Sequence, residues 1–158
     1  MQAVGHRLPG FFGLLALALP VLADAADITV EVVRRDDSFE VEAGAEIPAQ
    51  VDVAWEVLTD YDRLAEFIPG MTESRVVSRA GRSVVVDQRG KAGLLFFTFP
   101  IEVRLEIEES PYGRIESRAI RGNFRELTGA YDLQVRGDRL SLRYSGRLTP
   151  DFGIPPLI

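Results

Sequence analysis

Apolar and polar side chains alternate most regularly between Phe97 and Ile107, where Phe97, Phe99, Ile101, Val103, Leu105 and Ile107 are interleaved with Glu102, Arg104 and Glu106. Successive side chains of a strand point to opposite faces, so this period of two predicts a strand with one apolar and one charged face. The same rhythm recurs on both sides of it. Ile28 to Arg34 and Ser38 to Ile47 read as strands joined by Arg35-Asp36-Asp37, with Phe39 and Val41 on one side. Glu73 to Arg79 and Ser83 to Gly90 flank the turn Ala80-Gly81-Arg82, and Ser110-Pro111-Tyr112-Gly113 turns into Arg114 to Gly122. Arg136-Gly137-Asp138 separates the last two, Phe124 to Val135 and Arg139 to Thr149. In that pair Leu127, Gly129, Tyr131, Leu133 and Val135 share a face, as do Leu140, Leu142, Tyr144, Gly146 and Leu148. The expected product is a curved antiparallel sheet with one apolar side.

Between Pro48 and Met71 the period lengthens to that of a helix. Val53, Val57 and Leu58 share a helical face with Ala54, and Leu64, Phe67 and Ile68 form a second short stripe ended by Pro69-Gly70. Two small helices are therefore expected, joined near Asp60-Tyr61-Asp62. Asp62 stands where an N-cap acceptor would satisfy free backbone amides. Asp60 and Asp62 supply too few of the ~6 to 8 oxygens that calcium takes, so no metal site is expected. Two strands, two short helices and a long antiparallel meander make an α+β domain.

The segment AWEVLTDYDRLAEFIPGM, from Ala54 to Met71, resembles the first helical segment of the SRPBCC superfamily, in its polyketide cyclase/dehydrase and coenzyme Q-binding, START-like branch. The stretches GLLFFTFPIEVRLEIEE, GNFRELTGAYDL and LSLRYSGRLTPDFGIPPLI are similar to later segments of the same family, so that the resemblance runs from about Val30 to Pro156. It implies a helix-grip (START/Bet v 1-like) fold. Members of that family continue into a long C-terminal helix across the sheet, whereas this chain stops at Ile158. The apolar face is therefore expected to be covered by a continuation of the chain, by a partner protein or by membrane lipid, since an open apolar patch beyond a few hundred Å² is exceptional.

Composition narrows the chemistry. His6 and Arg7, the apolar run from Phe11 to Leu22 and Ala23-Asp24-Ala25 follow the layout of a signal peptide over residues 1–25, and the run is short of the ~20 apolar residues that span a bilayer. Export is thus expected. The skew of 17 arginines to one lysine suggests a GC-rich bacterial genome, hence the periplasm. Residues 26–158 are then one domain whose 17 basic and 23 acidic side chains disfavour nucleic acid as a partner. Cysteine is absent and His6 is the sole histidine, which excludes Ser-His and Cys-His nucleophiles and the usual zinc ligand sets from the mature chain. No catalytic residue and no cofactor is expected.

The candidate site is the concavity between helices and sheet, lined by Trp55, Phe67, Phe97, Phe99, Tyr131 and Tyr144. Such a pocket suits an apolar ligand, although the same rings would serve equally as core. By strand parity Arg121 and Arg125 also face inward, bracketing Gly122-Asn123, where a bulge would reset the register. They either reach solvent at the rim or hold a ligand carbonyl, carboxylate or phosphate. Together with the family resemblance this leads to non-catalytic binding or transport of a hydrophobic molecule of the lipid, isoprenoid or quinone class. A polyketide cyclase/dehydratase relying on Tyr, Arg, Asp or Glu, and a protein-interaction module, are the alternatives. Arg139, Arg143 and Arg147 lie on the outer parity of the last strand, either as a solvated face or as an attraction to an anionic surface.

Overall fold

The computed structural model describes residues 27–94 and 97–153, and side chains for residues 28–91 and 98–153. The proposed signal peptide and the Phe97 side chain lie outside the described residues. Two strands, β1 (Asp27–Arg35) and β2 (Ser38–Ile47), form a hairpin. They are followed by helix α1 (Val51–Thr59), a single 3₁₀ turn (Tyr61–Arg63) and the one-turn helix α2 (Leu64–Phe67). A meander completes the chain: β3 (Met71–Ala80), β4 (Ser83–Leu94), β5 (Phe97–Ser110), β6 (Arg114–Gly122), β7 (Phe124–Arg136) and β8 (Arg139–Pro150).

All eight strands join one antiparallel sheet in the order β1-β2-β8-β7-β6-β5-β4-β3. The order explains where the helices go. After β2 the chain must cross to the far edge to begin β3, and the helical segment makes that crossing over one end of the sheet. The meander then returns strand by strand until β8 pairs with β2, Ile47 opposite Leu140 and Phe39 opposite Leu148.

The alternation seen in the sequence becomes the two faces. On β5, Ile101, Val103, Leu105 and Ile107 are buried, while Arg104 on the outer face holds Asp87 of β4 through bonds of 2.6 and 2.8 Å. Val84, Val86 and Leu140 are wholly inaccessible, each worth ~1.5–3 kcal/mol of burial. The helix stripe differs from expectation. Val53 and Val57 are exposed, and the buried side of α1 is Ala54 and Trp55, with Val51 and Leu58 half-buried beside them. Positions 51, 54, 55 and 58 follow the i, i+3, i+4, i+7 spacing of one helical face, which 53 and 57 do not share.

Candidate functional site

The inner face is ordered in rows that cross the strands. Nearest the helices lie Ile47-Leu140 and Ala45-Leu142-Leu133, and then comes Ala43-Tyr144-Tyr131-Ile115, running from β2 to β6. The next row is Val41-Gly146-Gly129-Ser117-Ile107, whose middle has almost no side-chain bulk. Beyond it stand Leu148 and Leu127, then a ring cluster in which Phe99 stacks on Phe152 at 5.2 Å and Phe124 meets Phe152 edge-on at 6.0 Å. Tyr131 and Tyr144 are cross-strand neighbours with ring centroids 4.8 Å apart. Tyr144 is buried and leans toward the small row: its hydroxyl lies 2.5 Å from where a Cβ on Gly129 would sit. Ser117 donates its hydroxyl to the Gly129 carbonyl at 3.3 Å. Burial pushes the Tyr131 phenol up to about 12, and burial with the neighbouring Tyr131 raises that of Tyr144 further, so both remain protonated donors at neutral pH.

The helical end is fastened by a group that pattern reading missed. The Tyr61 hydroxyl donates to Glu109 at 2.9 Å, and Arg79 of β3 donates to the other carboxylate oxygen at 2.9 Å. Glu109 is buried, and its odd number, shared with Ile101 to Ile107, is the signal that would have placed it on the inner face. Burial and the adjacent carboxylate raise the Tyr61 phenol far above its ordinary value. Asp62 is not an N-cap. Its carboxylate accepts the Val76 N–H at 2.8 Å, where β3 is irregular between Val76 and Ser78, because a bulge leaves a backbone donor without a ladder partner. Trp55 packs in the core with Tyr112 edge-on at 5.6 Å, and Phe67 is half-buried beneath the Arg63 guanidinium at 5.3 Å.

Both arginines sit differently from their parity. A register shift between Arg104 and Leu105 sets Arg121 opposite Arg104, on the outer, charged face, and it is exposed. Arg125 occupies a second shift, between Phe124 and Glu126, and its guanidinium pairs with Asp37 in the β1–β2 turn and reaches the Pro150 carbonyl at 3.4 Å. One extra residue reverses the face of everything beyond it. The hydrogen bond from Arg125 holds the Asp37 carboxyl below its usual range. The outer face carries a basin of about 830 Å³ lined by Glu31, Glu42, Glu106, Arg114, Arg118 and Arg147 among others. Among them Arg118 pairs across strands with Glu106, and Arg147 with Glu126 beside the basin, so charged pairs border it.

The family model for polyketide cyclase / dehydrase and lipid transport matches residues 47–158. The chain belongs to that family. No curated protein matches it. Among solved structures it is similar to the Zhui aromatase/cyclase of a Streptomyces species, at 16% identity over 73% of this chain and 70% of that one, with a TM-score of 0.61. It is also similar to a START superfamily protein from Mycobacterium smegmatis, at 11% identity, 73% and 80% coverage and a TM-score of 0.59. A STAR-related lipid transfer protein from Xanthomonas axonopodis aligns at 14% identity over 80% and 85% of the two chains, with a TM-score of 0.54. These likenesses establish the helix-grip fold, here with eight strands in the sheet.

Among the described residues, the titratable groups of the inner face are phenols and a single buried carboxylate, Glu109. The sequence from residue 27 to 153 has neither histidine nor cysteine, and the buried Glu109 is committed to Tyr61 and Arg79. Among the described residues no three acidic or imidazole groups converge to hold a metal ion.

Proposed function

We propose that this protein binds and carries a hydrophobic small molecule of the lipid, isoprenoid or quinone class between the inner sheet face and the helical clasp, without covalent chemistry of its own. The observation that carries this reading is the inner face itself. Its central rows join apolar side chains to Tyr131, Tyr144 and a gap of small residues, while its buried carboxylate pairs with an arginine and accepts a hydrogen bond from a phenol. Removing ligand surface from water at ~25 cal/mol per Å² supplies the driving force, less the cost of association. A cyclase or dehydratase would need an acid–base group at the substrate, and Glu109, the buried carboxylate of this face, already accepts from Tyr61 and Arg79. The reading extends to location: residues 1–25 are removed on export and the carrier works in the periplasm.

Protein purified from its native host and extracted with organic solvent should release a stoichiometric apolar compound by mass spectrometry. Repeatedly empty preparations that also take up no quinone or fatty acid would overturn the proposal. N-terminal sequencing of the protein from fractionated cells tests the location, with a start near Ala26 expected and an intact Met1 the contrary result.

A further inference from the structure

The gap in the middle of the inner face has a donor pointed into it. Gly146, Gly129 and Ser117 are cross-strand partners on β8, β7 and β6, so their row forms a trough between Val41 and Ile107. The Tyr144 side chain leans across its floor. A Cβ at Gly129 would come within 2.5 Å of the hydroxyl, and one at Gly146 would be closer still, so the two glycines are what let the hydroxyl enter the trough. Tyr144 is 5% exposed and its hydroxyl has no hydrogen-bond partner among the described residues. A buried donor left without an acceptor is costly, and native structures satisfy nearly all such groups. The trough is flanked by Leu127, Leu148, Val41 and Ile107, and the arginines on the opposite face behind its three small residues are paired, Arg114 with Asp132, Arg118 with Glu106 and Arg147 with Glu126.

We propose that the trough is a ligand subsite that receives an uncharged oxygen, a ketone, quinone carbonyl or hydroxyl, on an otherwise apolar ligand, with the Tyr144 hydroxyl as its hydrogen-bond donor. The inference rests on the carrier reading above and sharpens it by fixing the ligand's polar group. A carboxylate or phosphate would be left there without a counter-charge, at the steep cost of a buried unpaired ion. A pure hydrocarbon would leave the phenol unsatisfied. An uncharged oxygen meets both conditions.

The test compares two probes with the same ring skeleton, menadione and 2-methylnaphthalene, by equilibrium dialysis against the wild-type protein and Tyr144→Phe. One hydrogen bond of ~1 kcal/mol corresponds to roughly a fivefold preference, so the wild type should favour menadione by about that factor or more. Tyr144→Phe should abolish the preference by weakening menadione alone, and it should leave thermal stability unchanged or raised, because it deletes an unpaired buried group. Gly129→Ala provides a second variant that displaces the hydroxyl while retaining it, and it should reduce the preference in the same way. If both probes bind but the preference is absent, or survives in Tyr144→Phe, the subsite is overturned while the carrier reading stands. If neither probe nor a longer-chain quinone binds the wild type, both readings fall together.

Discussion

Gly122 holds the sharpest constraint in the chain. Its φ is +132°, and a Cβ added there would overlap the Glu102 carbonyl oxygen of the adjoining strand, which is backbone and cannot step aside. Asn123 next to it stitches the same place: its side chain accepts the Glu102 N–H at 3.0 Å and donates to the Pro100 carbonyl at 2.6 Å. Gly122→Ala should therefore cost ~2–4 kcal/mol, read as a lowered urea midpoint, whereas Gly81→Ala, at a positive φ but with open space around it, should cost clearly less. Gly122 and Asn123 also lie between the two register shifts that decide which side chains face inward. Tyr131 and Tyr144 lie on the face that their parity indicates, because no irregularity separates them from the buried Leu133 and Leu142. Arg121 and Arg125 do not, because the single bulge expected at Gly122-Asn123 is in fact two shifts on either side of it, at Ala119–Arg121 and at Phe124–Glu126.

Among elements, the helical clasp depends on a polar bolt rather than on apolar contact alone. Tyr61 sits in the 3₁₀ turn, Glu109 at the end of β5 and Arg79 at the end of β3, so three separate elements meet at one carboxylate. Tyr61→Phe keeps the ring and the Arg79 pair, and should destabilise by ~0.5–1.5 kcal/mol; Glu109→Ala strands a buried phenol as well and should cost ~2–4 kcal/mol. Hydrogen exchange offers the discriminating measurement, since amides of α1 and of the turn should lose protection in Glu109→Ala before those of β7 and β8 do. The strands and both helices were legible in the sequence because each carries its own period. The bolt was not, since contact between Tyr61 and Glu109 is a property of the sheet order. The buried stripe of α1 was misread for a simpler reason. Valines at 53 and 57 are an i, i+4 pair, yet one face of the helix had room for only one stripe, and Trp55 has much the largest area to hide.

For the molecule as a whole, ionisable groups define a pH window. Arg104 and Arg125 hold Asp87 and Asp37 below the ordinary carboxylate range through hydrogen bonds. Their contribution is complete above the unfolded value of ~3.9 and fades as pH falls through the lowered folded values. The three raised phenols act at the other end. Stability is fully present below the unfolded tyrosine value of ~10 and should be lost as pH rises beyond it toward the folded values, about 12 for Tyr131. Absorbance at 295 nm should show these phenols ionising together with loss of the fold, and Tyr144→Phe should shift that transition to higher pH. The seam between β2 and β8 has a different consequence. Ile47 and Leu140 are partners separated by ninety-odd residues, and closing such a loop costs roughly 4 kcal/mol in chain entropy. Val41→Ala, at this seam, should lower stability by ~2 kcal/mol, mostly as faster unfolding in stopped-flow traces. Until Arg139–Pro150 has been synthesised, β2 has only β1 to pair with. The hairpins from β3 to β7 are local and can pair as they emerge, whereas the join that unites them with β1 and β2 waits for Arg139–Pro150.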